Sequence, residues 1–312
     1  MNITIFSSHS LSLPLINHIS DRRFLRGILT VDENNAHTSS LEKTASAKNI
    51  SFIKSDRQGL EIKVAQWLME QNSDLVIVIN FPYLIPENLL KIPKLGFYNF
   101  HFGLLPAYKG ADPVFWQLKN GEKTGGISVL AINENLDSGP VFYQKPFSFF
   151  PGENYGLHVM RLGFLSIEVF NDVYEKISSG NFSYTLEHDN TASLKRPSSR
   201  DLEINWEENT ADEIENLVNA CNPAFGGANT YISTIPVKIL EVSPADFTEA
   251  PEVAPGTIIV HEQQVFAACV GKKFLRVNII QLPEGTISGQ KWALLGAQTG
   301  VKFTNNQSMA LS

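Results

Sequence analysis

The chain has 312 residues, of which 43% are hydrophobic and 18% charged, with a net charge of −7 and two cysteines. This is the composition of a globular protein with room for two cores, and it excludes a disordered chain, a disulfide scaffold and a cysteine-based zinc module. No apolar run is long enough to span a bilayer, and the acidic balance lowers the expectation of a large nucleic-acid partner.

The amino terminus, Met-Asn-Ile-Thr-Ile-Phe, has neither the basic lead nor the long apolar stretch of a signal peptide. It reads as a first strand over 3–6, in a chain expected to be cytoplasmic and reduced. Ser12 is placed to cap a helix carrying Leu13, Leu15, Ile16 and Ile19. A second strand is predicted over 24–31, a helix over 39–48 and a brief strand over 50–53. Residues 60–71 carry Leu60, Ile62, Val64, Ala65, Leu68 and Met69 at mostly helical spacing. Residues 75–79 are apolar on both faces, as a central strand covered by helices must be. Pro86 opens a short helix, and strand formers Phe97, Tyr98 and Phe100 mark a strand over 96–101. Two antiparallel strands follow over 124–132 and 141–147, then a long amphipathic helix over 155–177. The pattern predicts an α/β domain: an open, mostly parallel sheet with helices on both faces, whose ligands settle beyond the carboxyl ends of its strands.

Residues 188–200 are linker-like in composition, and a helix is predicted over 211–221. Short strands over 231–235, 237–242, 256–260, 265–268 and 274–281, separated by Pro and Gly turns, predict a small β-barrel. The expected organisation is a catalytic domain over 1–188, a linker over 189–202 and an OB-like domain over 203–312. From Arg196 to the end there are 8 Lys and Arg against 13 Asp and Glu.

The densest chemistry lies in one ordered run. Asn99 and His101 sit two apart on a strand, so they project side by side from one face. Leu-Leu-Pro106-x-Tyr108-x-Gly110 turns the chain into a helix opened by Pro113, and Leu136-Asp137-Ser-Gly139 returns a carboxylate from a later loop. An amide, an imidazole and a carboxylate together suit acyl transfer: two groups stabilise an oxyanion and the set handles a proton. Alone, Asn-x-His is usually structural and Asp137 suits a turn. Phe81 and Tyr83 read equally well as packing, Trp116 as core, and His9 as a solvated loop histidine. His18, His37, His158, His188 and His261 show no metal-ligand spacing.

Taken whole, Asn-x-His-x-x-Leu-Leu-Pro-x-Tyr-x-Gly-x-x-Pro-x-x-Trp, with Asn120-Gly-Glu122, Thr124-Gly125 and Leu136-Asp-Ser-Gly139, resembles the 10-formyltetrahydrofolate-dependent formyltransferases. That family includes methionyl-tRNA formyltransferase and the sugar-nucleotide N-formyltransferases. Ile204-Asn-Trp206, residues 222–228 and Pro255-Gly-Thr257 extend the resemblance into the carboxyl-terminal domain, so it covers nearly the whole chain. The resemblance implies Asn99, His101 and Asp137 as catalytic residues. It implies Asn80, Phe81, Tyr83, Leu84, Ile132 and Leu136 around the pterin of 10-formyltetrahydrofolate, with no metal required. Three positions depart from the pattern. Gly103 stands where the family usually has Ser, residues 32–38 form a short acidic loop in place of a longer basic one, and Asn219 replaces a frequent Arg.

The resulting expectation is formyl transfer to a primary amine through a tetrahedral oxyanion. A small acceptor such as a nucleotide-linked amino sugar is preferred to methionyl-tRNA, and no membrane partner is expected. A 10-formyltetrahydrofolate hydrolase or a non-catalytic folate binder are the alternatives.

Overall fold

The computed structural model describes residues 1–133, 139–185, 192–247 and 251–305. The chain divides into two compact units, and neither is one stretch of sequence. The first comprises Met1–Pro113, Thr124–Ser148 and Val159–Leu194; the second comprises Val114–Lys123, Phe149–His158 and Lys195–Ser312.

The first unit is built on a seven-stranded sheet. Its chain order runs β1 (Ile3–Ser7), α1 (Leu13–Asp21), β2 (Leu25–Val31), α2 (Ala36–Ala47), β3 (Ser51–Ser55), α3 (Ala65–Glu70), β4 (Leu75–Ile79), α4 (Glu87–Leu90) and β5 (Phe97–His101). Next along the chain come α5 (Pro113–Lys119), which apart from Pro113 belongs to the second unit, then β6 (Thr124–Ala131), β7 (Val141–Ser148) and α6 (Tyr155–Ser178), whose opening residues through His158 also belong to the second unit. The sheet order is β3-β2-β1-β4-β5-β6-β7, parallel through β5 and antiparallel across β5-β6-β7. Every residue of β1 and β4 is buried, which requires cover on both faces of the sheet. One face packs Phe6, Leu29, Val76, Val78 and Phe97 against Leu60, Val64, Trp67, Leu68 and Leu89. Strand order reverses between β1 and β4, so the crevice at their carboxyl ends is the topological switch point where such sheets place ligands.

Two local expectations change. Ser12 does not cap α1 with its side chain; its hydroxyl donates to the His9 carbonyl. His9 instead caps a 3-10 turn over Ser10–Ser12, its Nδ1 accepting the Leu11 N–H at 3.1 Å. The predicted helix over 60–71 begins as a wider π-type turn, Leu60–Val64, before tightening into α3. Apolar spacing does not separate these two windings.

The second unit contains α7 (Ala211–Cys221), β8 (Ala228–Ile232), β9 (Ile235–Ala245), β10 (Ile258–His261), β11 (Gln264–Cys269), β12 (Lys273–Leu282), β13 (Gly285–Ser288), α8 (Gly289–Leu295) and β14 (Phe303–Thr304). Its antiparallel sheet runs β10-β11-β12-β9-β8-β14, with β13 added to β12. The two ends of that order meet. Ile258 N–H donates to Val301 O at 2.8 Å, Gly300 N–H to Ile258 O at 2.9 Å, and Phe303 N–H to Gly256 O at 2.8 Å. Those bonds curl the sheet onto itself as a small barrel and leave neither β10 nor β14 as a bare edge. Trp206 plugs it, stacked on Phe303 at 5.1 Å, with its indole N–H donated to Thr230 Oγ1 at 2.9 Å. The short elements α8, β13 and β14 carry too few residues for a periodic pattern.

Candidate active site

The β5 strand pairs Val78 with Asn99 on one side, and Leu130 with Asn99 and Ser128 with His101 on the other. Tyr98 and Phe100 are buried on the opposite face of the strand. That burial fixes the register, so Phe97, Asn99 and His101 share the remaining face. Asn99 is half-buried, whereas His101 retains only 6% of its exposure. The imidazole Nε2–H donates to the Tyr108 carbonyl at 2.8 Å. A carbonyl only accepts, so this bond places a proton on Nε2.

The turn that supplies this carbonyl has an unusual backbone. Tyr108, Gly110 and Asp112 have φ of 58°, 103° and 53°. Gly103 sits under it: a Cβ there would stand 3.2 Å from His101 Nε2 and 3.0 Å from Tyr108 Cβ. A glycine at this position lets the turn fold directly against the imidazole edge.

Beyond the carboxyl end of β4, Asn80 adopts φ 48°, and its carbonyl accepts the Ser8 N–H at 3.2 Å. The chain then lays down an aromatic wall. Phe81 lies 5.6 Å from Phe6 and 5.5 Å from Tyr83, and Phe6 lies 5.5 Å from Phe97. Phe81, Tyr83 and Ile132 pack on the same core cluster as Phe97, and therefore on the face that carries Asn99. Leu84 does not join them; it is 49% exposed. Ile132 N–H donates to Phe97 O at 2.8 Å, so the chain leaves β6 beside Phe97, two residues from Asn99. Leu136 and Asp137 lie outside the described residues.

The β1 end carries a pair that sequence reading did not connect. His9 is half-buried rather than solvated, and its ring lies 3.8 Å from that of His37. Burial, and secondarily the neighbouring His37, lower His9 to about 4. Twenty-seven residues separate Ser10 from His37, whose Nδ1 meets the Ser10 hydroxyl at 2.9 Å, and no local spacing signals such a contact. Cys221 and Cys269 are buried, and burial pushes both thiols up to about 12, which makes them packing groups rather than nucleophiles. Among the described residues, no group of three His, Cys, Asp or Glu is placed to hold a metal ion. No described helix is long and apolar enough to cross a membrane.

This arrangement sits inside a recognised pattern. The family model for formyl transferase matches residues 10–169, and that for the formyl transferase C-terminal domain matches residues 197–295. The chain belongs to the formyl transferase family. Methionyl-tRNA formyltransferase of Thermodesulfovibrio yellowstonii is 32% identical over 220 residues, 70% of this chain and 68% of that enzyme. Among solved structures, WlaRD, a sugar 3N-formyl transferase studied with dTDP and 5-N-formyl-THF, has a TM-score of 0.67 at 16% identity, covering 88% of this chain and 96% of that one. HypX from Aquifex aeolicus, in complex with tetrahydrofolic acid, has a TM-score of 0.65 at 16% identity over 97% of this chain. The present chain spans about half the length of HypX. At such identities the solved structures establish the fold. As a member of the family, the chain is an enzyme of the formyltransferase class, and the first matched region contains every candidate residue from Asn80 to Asp137.

Proposed function

We propose that this formyltransferase moves a formyl group from 10-formyltetrahydrofolate to a primary amine, using Asn99, His101 and Asp137. The observation that carries the reading is the placement of Asn99 and His101 on one face of β5, with the imidazole Nε2–H committed to the Tyr108 carbonyl. The folate fits the donor set beside them. Phe81, Tyr83 and Ile132 offer an apolar, aromatic wall for a flat ring, and the exposed, left-handed Asn80 immediately precedes it in the chain. Leu84 and Leu136 complete the proposed folate contacts. Bound there, the donor supplies an activated formyl carbon.

The amine nitrogen bonds to that carbon, and the carbonyl π pair moves onto oxygen. The Asn99 side-chain N–H donates to the developing oxyanion. Because Nε2 already gives its proton to Tyr108, His101 acts through Nδ1. It takes the proton released by the attacking nitrogen and delivers it to the departing folate nitrogen as the old C–N bond breaks. Asp137 stabilises the imidazolium between those two events. The catalytic domain is assigned to 1–188 and the barrel domain to 203–312, joined by 189–202.

For the acceptor, a small amine such as a nucleotide-linked amino sugar is favoured by the net charge of −7 and by the exposed acidic turn at Asp32 and Glu33. Neither suits a long phosphate backbone. Methionyl-tRNA is the second reading, favoured by the sequence likeness to the tRNA enzyme across 70% of the chain. Turnover of 10-formyltetrahydrofolate against charged initiator tRNA and a panel of nucleotide-linked amino sugars decides between them. Formylation of tRNA at ordinary enzyme rates overturns the small acceptor; formate release with no amine present marks a hydrolase.

A further inference from the structure

Two side chains outside the catalytic trio converge on the turn that follows His101. Ser128, on β6, is fully buried and stands opposite His101 across the strand pair. Its hydroxyl donates to Gly103 O at 2.6 Å and accepts the Leu105 N–H at 3.1 Å. Gln144, on β7, donates one amide hydrogen to Ser128 Oγ at 3.0 Å and the other to Leu105 O at 2.9 Å. The hydroxyl thereby makes three bonds and the Gln144 amide nitrogen uses both hydrogens. Three backbone groups of the turn are held by two side chains. Leu105 itself packs in one buried cluster with Leu130 and Val141, so the turn is also held by apolar contact. Three residues further on, this turn presents the Tyr108 carbonyl to His101 Nε2.

We propose that Ser128 and Gln144 are positioning residues for His101. By locking residues 103–105, they hold the Tyr108 carbonyl where it fixes the imidazole tautomer and ring orientation. The argument is one of competing bonds. Without the lock, Gly103 O and Leu105 N–H must find other partners, and the bridge of Lys109 and Ala111 to Leu194 holds only the far side of Tyr108, whose φ is positive. The carbonyl then drifts from Nε2, and the two neutral tautomers of His101 mix. Nδ1 then carries the proton for part of the time and cannot accept one from the amine. Neither residue touches the reacting atoms in this account. The kinetic consequence rests on the function proposed above, but the tautomer itself does not.

The test uses the full chain with Ser128→Ala, Ser128→Thr, Gln144→Leu and His101→Gln, the last serving to assign the His101 ring signals. Nitrogen-15 NMR of the imidazoles without substrate reports the tautomer directly. The expected result is a single Nε2-protonated form of His101 in the wild type and in Ser128→Thr, and a mixture in Ser128→Ala and Gln144→Leu. Formyl transfer should show kcat lower by up to about 100-fold in Ser128→Ala and Gln144→Leu, the scale of a misplaced catalytic group. The donor KM should be little changed, the pH profile shifted, and Ser128→Thr close to wild type. An unchanged His101 tautomer in both disruptive variants overturns the proposal, even if activity falls. If the tautomer mixes but no amine is formylated by any form, including wild type, the formyl-transfer reading fails while the positioning role stands. Should Ser128→Ala not fold, Gln144→Leu, at a half-buried site, carries the same readout.

Discussion

His101 is almost wholly buried, and its Nε2–H is committed to a backbone oxygen, that of Tyr108. In the proposed mechanism the residue works from Nδ1, and Asn99 supplies the neutral donor beside it. Asn99→Ala should lower kcat by about 100–1,000-fold, as removal of an oxyanion donor does, with donor KM nearly unchanged. His101→Ala should cost at least as much, and steady-state kinetics with a common amine acceptor check both. His9 yields a prediction in stability rather than rate. Its folded-state pKa, about 4, lies below the ordinary histidine value of 6.5, so the unfolded chain binds the extra proton first. Stability from this group is therefore complete above pH 6.5 and lost as the pH falls towards 4, by on the order of 2–3 kcal/mol. His9→Asn, which keeps a capping oxygen, should flatten that part of the pH dependence in urea titrations.

At the scale of elements, packing decides what periodicity leaves open. Gly27 in β2 has no side chain because Trp67 of α3 occupies the place: a Cβ there would meet its ring carbons at 2.5 and 2.7 Å. The indole N–H reaches Ser51 of β3 at 2.8 Å, so the ring has little freedom to withdraw. Gly27→Ala should cost about 1–3 kcal/mol of unfolding free energy through overpacking, measured by chemical denaturation. In the second unit, Thr210 caps α7 and Glu213 reaches back to the Thr210 N–H at 2.8 Å. Thr210→Ala should lose about 1 kcal/mol, while a change at exposed Glu207 should be nearly silent. The helix predicted over 211–221 keeps those limits in the structure, where the capping box of Thr210 and Glu213 fixes its start. The π-type turn at Leu60–Val64 and the cap by His9 left no local sequence mark, since each depends on groups brought in from elsewhere.

For the whole molecule, charge bears on the acceptor. A small amine acceptor predicts that kcat/KM changes less than about threefold between 50 and 200 mM salt, whereas a tRNA acceptor held by several phosphate contacts would lose orders of magnitude. Stopped assays across that salt range measure the difference. The fold class was readable because alternating apolar runs and helical spacings recur through the first 180 residues, and because short strands between Pro and Gly turns fill the end. The side-by-side placement of Asn99 and His101 was likewise readable, since a strand alternates its faces and Tyr98 and Phe100 must be buried. Such features depend on neighbours within a few residues. The barrel closure by Gly256–Ile258 and residues 300–303, the ring contact of His9 with His37, the clamp of Ser128 and Gln144 on the turn, and the proton on His101 Nε2 belong to tertiary structure alone. Each joins groups far apart in sequence or employs a backbone carbonyl, which every residue possesses and no residue type reveals.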